Sequence, residues 1–251
     1  MQIKLISQVI LSLFALVSFQ FAHANTADQD ASKIRDTLKQ HFSEITLDKI
    51  EPSPVKGVYQ VSSGANILYV TADARYAFSG DLIDLHHAQN NLTEDARKTA
   101  RLNSLKNLGQ ENMIIFSPKN PKYTVTVFTD VDCGYCRKMQ SEMGKINNLG
   151  IAVRYLAFPR SGPDTPTFNK MVSVWCAKDK NKALAAAKSD GSVDDITCPN
   201  NSVLKDLELG MQLGVSGTPT IIFEDGTMIP GYLPPDKLLE VAKQLKKKET
   251  A

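Results

Sequence analysis

The chain has 251 residues, and its 29 lysines and arginines nearly balance 27 aspartates and glutamates, for a formal net charge of +2. That balance excludes the electrostatic footprint of a nucleic-acid binder or of a protein held to an anionic membrane surface. With 42% hydrophobic residues, the length suits two modest domains or one large one.

Residues Met1 to Ala24 carry one lysine, Lys4, then an apolar run from Val9 to Phe21 broken only by Ser and Gln, then Ala22-His23-Ala24. This is the pattern of a secretory signal peptide cleaved after Ala24, and the run is shorter than the roughly 20 apolar residues a membrane span needs. Export would place the four cysteines in an oxidising compartment, where they can be bridged or redox-active.

The recurrence of Ile34, Leu38 and Phe42 predicts a short helix from Ala31 to Phe42. Strands are expected at Val58–Val61, Asn66–Val70, Tyr76–Phe78 and Asp81–Leu85, separated by Ser, Gly, Ala and Asp turn signals, which describes a small antiparallel meander. A segment of about sixty residues so thin in large apolar side chains is marginal alone, and association through a sheet edge would relieve it. His41, His86 and His87 have no partner set that suggests a metal, and His86-His87 reads as a solvated loop pair. Asn91-Leu92-Thr93-Glu94 resembles a capping box opening a helix with Leu102, Leu105 and Leu108 on one face and Gly109 as its stop. This helix is otherwise mostly polar, so it is expected to bridge two domains through solvent.

Met113–Phe116 reads as a short strand, and Ser117 to Pro121 punctuate the approach to a second domain. Tyr123–Asp130 is a buried strand, followed by a helix at Cys133-Gly134-Tyr135-Cys136, a strand at Ile151–Phe158 and a helical stretch from about Thr165 to Met211. Thr220–Phe223, the turn Glu224-Asp225-Gly226 and Thr227–Ile229 form a hairpin. Pro235 then opens a last helix with Leu238, Leu239, Ala242 and Leu245 inward, and Lys246-Lys247-Lys248 ends it in solvent. The order β, α, β, helical insertion, β, β, α is that of a thioredoxin fold.

A Cys-X-X-Cys at a helix start is suited to thiol–disulfide exchange. The first sulfur meets unpaired backbone N–H groups and the positive end of the helix dipole, which lower a pKa of about 8.5 in the free residue. Cys133, exposed at the helix start, is thus the expected nucleophile, with Cys136 shielded one turn further on to close the disulfide. The tetrapeptide could instead be half a zinc site, but there is no second Cys-X-X-Cys or His-X3-5-His to complete one, and Arg137 stands where c-type haem attachment requires histidine. No metal or cofactor is therefore expected. Thr218-Pro219 directly precedes the strand from Thr220, the junction where a thioredoxin fold carries a cis-proline opposite the cysteine pair. There it would fix a peptide-binding edge and keep stray metal from the thiols. Once Cys133 and Cys136 form a couple, Cys176 and Cys198 are left either to bridge each other across the helical insertion or to stay as buried free thiols. Asp130 and Asp132 read as surface carboxylates or as a proton relay to Cys136, and Trp175 as core.

Phe128-Thr-Asp-Val-Asp-Cys-Gly-Tyr-Cys136, Ile151-Ala-Val-Arg-Tyr-Leu-Ala-Phe-Pro-Arg160, Trp175-Cys-Ala-Lys-Asp-Lys-Asn-Lys182 and Gln212-Leu-Gly-Val-Ser-Gly-Thr-Pro219 closely resemble the DsbC/DsbG family of periplasmic thiol:disulfide interchange proteins in the thioredoxin superfamily. The match is dense over Tyr123 to Leu245 and weaker, in pattern rather than identity, over Ala31 to Gly109. The resemblance implies an α+β chain. Residues 1–24 would be the signal peptide, 25–90 a cystatin-like antiparallel dimerisation domain, 91–112 a linker helix and 113–251 an α/β thioredoxin-like catalytic domain with a helical insertion. It further implies a V-shaped homodimer around an apolar cleft. Cys133 and Cys136 would be catalytic, with Gly134, Tyr135, Thr218 and Pro219 supporting them and Cys176–Cys198 a structural bridge. Misfolded exported proteins would be the substrates and a membrane electron donor of the DsbD type the reductant. The DsbG branch typically has Cys-Pro-Tyr-Cys, so Gly134 favours the DsbC branch. A holdase chaperone using only the cleft would not need the couple.

Overall fold

The computed structural model describes residues 26–87, 90–189 and 191–249, and the expected signal peptide, 1–24, lies outside them. The chain divides into two compact units, one up to Thr93 and one from Glu94, and each is described by itself. No helix among the described residues is long and apolar enough to cross a membrane.

In the first unit, residues 26–41 are helical (α1). Four strands, β1 (Lys49–Pro52), β2 (Val58–Ser63), β3 (Asn66–Thr71) and β4 (Ala77–Phe78), form an antiparallel meander in that order. Alternation along β2 turns Tyr59 and Val61 inward, where they meet Val70 of β3 and Ile34 and Leu38 of α1. The β2–β3 hairpin closes on Gly64-Ala65, with Gly64 at φ 57 in the left-handed region that a tight turn needs. A short ladder joins β5 (Ile83–Asp84) to β6 (Asn90–Asn91). Three expectations change here. Asp81–Leu85 is not a strand of the meander, since only Ile83–Asp84 is extended and it pairs with β6 outside that sheet. The helix ends before Phe42, which is 57% exposed rather than part of the apolar stripe. Charged, proline-ended Lys49–Pro52 forms the unexpected β1, because pairing with β2 satisfies its backbone where its side chains give no strand signal.

The second unit holds a five-stranded sheet of order β11-β10-β8-β9-β7. These strands are β7 (Ile114–Phe116), β8 (Tyr123–Thr129), β9 (Ile151–Ala157), β10 (Thr220–Phe223) and β11 (Met228–Pro230). Central β8 pairs parallel with β9 and antiparallel with β10, and both of its faces are covered, which is why it reads as an apolar run rather than an alternation. The helices are α2 (Leu92–Leu108), whose first turn spans the division between units, α3 (Gly134–Ser141), α4 (Met143–Asn148), α5 (Pro166–Cys176), α6 (Lys180–Ser189), α7 (Val203–Gln212) and α8 (Pro235–Glu249). The main core gathers Val125, Val127, Met139, Val153, Tyr155, Met171, Trp175, Leu184, Ile221 and Leu238.

Helix α2 departs from a purely solvent-bridging role. From Glu94 onward it lies along the second unit: Arg101 is buried and donates to the Gly226 carbonyl (3.2 Å), Lys98 pairs with Asp225 (3.2 Å), and Leu105 and Leu108 pack on a cluster containing Met113, Phe128 and Phe158. A Cβ on Gly226 (φ 82) would sit 2.6 Å from the Lys98 carbonyl oxygen, so this close approach requires glycine. The polar sequence of α2 concealed the docking because the contacts are largely ion pairs and hydrogen bonds.

The helical insertion is also broken where one continuous stretch was expected. Thr165 caps α5, accepting from the Phe168 N–H (3.3 Å) with Pro166 in the first turn. Between α6 and α7 the Ser-, Gly- and Pro-containing segment is irregular. Cys176 and Cys198 are bonded (Cα–Cα 5.6 Å), tying that segment to the end of α5.

Candidate active site

The cysteine pair sits at the C-terminal end of β8, where Asp130-Val131-Asp132 turns the chain into α3. Cys133 occupies the N-cap of α3 in extended conformation, so its sulfur lies at the open end of the helix. Antiparallel pairing of Phe128 with Thr220 brings the start of β10 alongside. The Thr218–Pro219 bond at that start is cis, and Cys133 Sγ lies 3.2 Å from the Thr218 carbonyl oxygen, a contact the protonated thiol donates. Strand pairing therefore brings together Cys133, Cys136, Thr218 and Pro219, although 85 residues separate Cys133 from Thr218. Cys133 and Cys136 are both free thiols.

Burial revises one expectation. Cys133 is 4% exposed rather than open, because the Thr218 carbonyl lies against its sulfur, while Cys136 is 0% exposed. The two thiols are electrostatically opposite. The hydrogen bond from the Cys136 thiol holds Cys133 down to about 5, with help from the Thr218 side chain, the Cys136 backbone N–H and Arg160, against the effect of burial. That same hydrogen bond and burial push Cys136 well above the range of an ordinary thiol. One sulfur is thus a thiolate at neutral pH and the other keeps its proton, the division that a nucleophile and a resolving thiol need.

Asp130 and Asp132 are not free surface carboxylates. Asp130 is buried and accepts from the backbone N–H groups of Asp132 and Arg160 and from Arg160 Nε, while Asp132 accepts from Lys170 (2.8 Å), Thr167 (2.8 Å) and Arg137 (3.1 Å). Lys170 and Thr167 hydrogen-bond Asp132 and help hold its carboxyl below the usual carboxylate range, although burial opposes them. Both aspartates brace the loop before Cys133. Gly134 meets no packing demand, since a Cβ there would touch nothing within 4 Å. Tyr135 is 63% exposed and stacks on Tyr232 (centroids 6.0 Å apart), whose ring also carries Lys138 (5.4 Å) and whose hydroxyl donates to Glu142. Together these rings make an aromatic ledge beside the thiols.

Sequence reasoning missed Arg160, Tyr232 and Lys188. Arg160 follows the end of β9, beside the end of β8, a position that only the parallel pairing reveals. Lys188 left a readable trace, since it falls on the same face of α6 as Leu184, where a lysine is out of place.

Residues 109–246 match the model of a thioredoxin-like domain, and residues 23–94 match that of a disulfide bond isomerase protein N-terminal domain. The thiol:disulfide interchange protein DsbC of Escherichia coli K12 is 37% identical over 227 residues, covering 90% of this chain and 93% of its own length. DsbC of Salmonella typhimurium is 38% identical over 230 residues, covering 92% of each chain. The chain belongs to the DsbC family of thiol:disulfide interchange proteins. A crystal structure of a disulfide interchange protein from Neisseria gonorrhoeae aligns with a TM-score of 0.49 at 29% identity, covering 54% of this chain and 96% of that one. As a DsbC-family enzyme the chain joins both family domains in one polypeptide, and its thiol pair lies in the thioredoxin-like part.

Proposed function

We propose that this chain is a periplasmic protein disulfide isomerase and reductase that acts as a homodimer through Cys133 and Cys136. The observation that carries the reading is the asymmetry of the two thiols beside Thr218-Pro219: an ionised Cys133 at a helix N-terminus over a buried, protonated Cys136. The Cys133 thiolate attacks a non-native disulfide, forming one bond between Cys133 and a substrate sulfur and releasing the other substrate sulfur as thiolate. If that thiolate, or another in the substrate, attacks the mixed disulfide, Cys133 leaves as thiolate and the substrate is rearranged with no net oxidation. If Cys136 attacks Cys133 instead, a Cys133–Cys136 disulfide forms, the substrate leaves reduced by two electrons, and a membrane donor of the DsbD type must restore the dithiol. Gly134 and Tyr135 shape the nucleophile's surroundings, Thr218 and Pro219 offer an edge to extended substrate, and Cys176–Cys198 anchors the insertion.

In this reading residues 1–24 direct export and are removed, 25–90 dimerise, 91–112 link and 113–251 catalyse. Dimerisation is supported by Tyr76 and Phe78, large apolar side chains exposed where the four-stranded sheet ends at the short edge strand β4, and by exposed Ile83 and Leu85 in the segment that follows. Pre-reduced full-length protein should restore activity to a scrambled multi-disulfide substrate, and Cys133→Ser should abolish this. Loss of rescue with aggregation suppression kept in Cys133→Ser would separate the isomerase from a holdase role, and rescue that persists in Cys133→Ser would refute the reading.

A further inference from the structure

Helix α6 packs against α3, α5 and β7, and it turns one charged side chain into that packing. Lys188 is 3% exposed, its Nζ is sealed from solvent without a hydrogen-bond partner among the described residues, and the ammonium sits 3.8 Å above the centroid of the Tyr155 ring on β9. Cation–π attraction compensates only partly for burying an unpaired ammonium, so a lysine here costs stability that a methionine or leucine would not.

The groups around it identify what the charge acts on. Cys136 and Cys133 face it from α3 and its cap, and Asp130 from the loop after β8, each favouring the ammonium form. Asp130 is already held by Arg160, which also acts on both thiols. From the other elements packed on α6, β7 offers no titratable side chain, and Lys170 of α5 is engaged with Asp132. Of the two thiols, Cys133 is lowered by the charge of Arg160, whereas wholly buried Cys136 is lowered by that of Lys188.

We propose that Lys188 is a positioning residue for the resolving thiol: fixed over Tyr155 behind α3, it supplies the positive charge that lets Cys136 ionise and close on the mixed disulfide, and so sets how long substrate stays attached to Cys133. In that step Cys136 releases its proton to solvent and, as a thiolate beside the Lys188 ammonium, forms a bond to Cys133 Sγ; the Cys133–substrate bond breaks, and the departing substrate thiolate takes a proton from solvent. Burial brings Lys188 down to about 8 against the pull of the thiols and Asp130, so the ammonium that acts on Cys136 persists through neutral pH and is lost above that value. The inference rests on the assignment of Cys133 and Cys136 given above.

The test is stopped-flow mixing of reduced full-length protein with a model peptide disulfide. The first peptide thiol released reports attack by Cys133 and the second reports resolution by Cys136, with Cys136→Ser trapping the mixed disulfide as a reference. In wild type, resolution should rise with pH and level off above about 8. In Lys188→Met it should be about tenfold slower at pH 7, equivalent to one unit in the Cys136 pKa, and should keep rising past pH 8. The attack step should change far less, and thermal stability should hold or increase because an unpaired amine has been removed from the interior. Wild-type resolution and pH profile in folded Lys188→Met would overturn the proposal, as would a drop in thermal stability with unchanged rates. Should that variant not fold, a wild-type profile that fails to level off between pH 6 and 10 would overturn it instead. If wild-type protein forms no mixed disulfide at Cys133, the thiol couple itself is refuted and this inference with it.

Discussion

Arg160 donates both its backbone N–H (3.1 Å) and its Nε–H (3.0 Å) to one carboxylate oxygen of buried Asp130, 30 residues earlier in the chain. This link clamps the ends of the parallel strands β8 and β9. It also fixes the loop that presents Cys133 and leaves a guanidinium charge within reach of both thiols. Positioning and electrostatics thus come from the same pair.

Alkylation of the reduced protein by iodoacetamide should follow one ionisation near pH 5, belonging to Cys133, while Cys136 stays unlabelled until the protein unfolds. Because the folded pKa lies below that of the unfolded thiol, ionised Cys133 stabilises the reduced fold fully above the unfolded value. That contribution is lost as pH falls through about 5. Equal labelling of both thiols, or a midpoint near the free-thiol value of about 8.5, would remove the proposed roles.

Asp206 on α7 is buried, with Oδ2 accepting from the Ala157 N–H (3.1 Å) and the Ser202 hydroxyl (3.1 Å) and Oδ1 unpartnered, and burial raises it from 3.8 to about 7. A raised carboxyl costs nothing below its unfolded value and weakens the fold as pH rises through about 7. Asp206→Asn should therefore gain on wild type by on the order of 2 kcal/mol or more at pH 8 and little at pH 4. Urea unfolding at the two pH values measures the difference, and an equal effect at both would contradict the assignment.

Gly210 lets α7 lie against the edge-to-face pair Phe128 and Phe158. A Cβ there would fall 2.5 Å from the Phe158 ring and 3.1 Å from Phe128. Gly210→Ala should cost roughly 1–3 kcal/mol despite the better helix propensity of alanine, because the aromatic pair must shift. A rise in thermal midpoint would show that the rings move freely.

Replacing Cys176 and Cys198 by Ala opens a loop spanning a separation of 22 residues and should lower stability by roughly 3 kcal/mol on the chain-entropy model. The Cys133 alkylation profile should stay in place, since the bridge lies in the insertion. A shifted profile would mean that the insertion tunes the thiol.

Sedimentation should show a dimer for the full-length chain and a monomer once residues before Glu94 are deleted, with disulfide exchange retained but most isomerisation of scrambled substrate lost. A cut at Met113 should give a less stable fragment than a cut at Glu94, because it strips Leu105 and Leu108 from the Met113, Phe128 and Phe158 cluster. Equal stability of the two fragments would mean that α2 contributes no packing.

The thiol motif, the strand that carries it and the β, α, β, insertion, β, β, α order were legible in the sequence because each is local. An apolar run, a helix start and a proline before a strand need no distant partner to be recognised. In the first unit the period-two pattern of β2 was legible for the same reason, whereas β1 was not, since only pairing with Tyr59 to Ser62 makes Lys49–Pro52 a strand. The burial of Cys133 against the Thr218 carbonyl, the Asp130–Arg160 clamp, the docking of α2 from Glu94 onward and the seat of Lys188 over Tyr155 were decided only by the tertiary structure. Each depends on residues far apart in the chain meeting away from water, and burial is the condition under which a charge or an unshared proton becomes strong enough to matter.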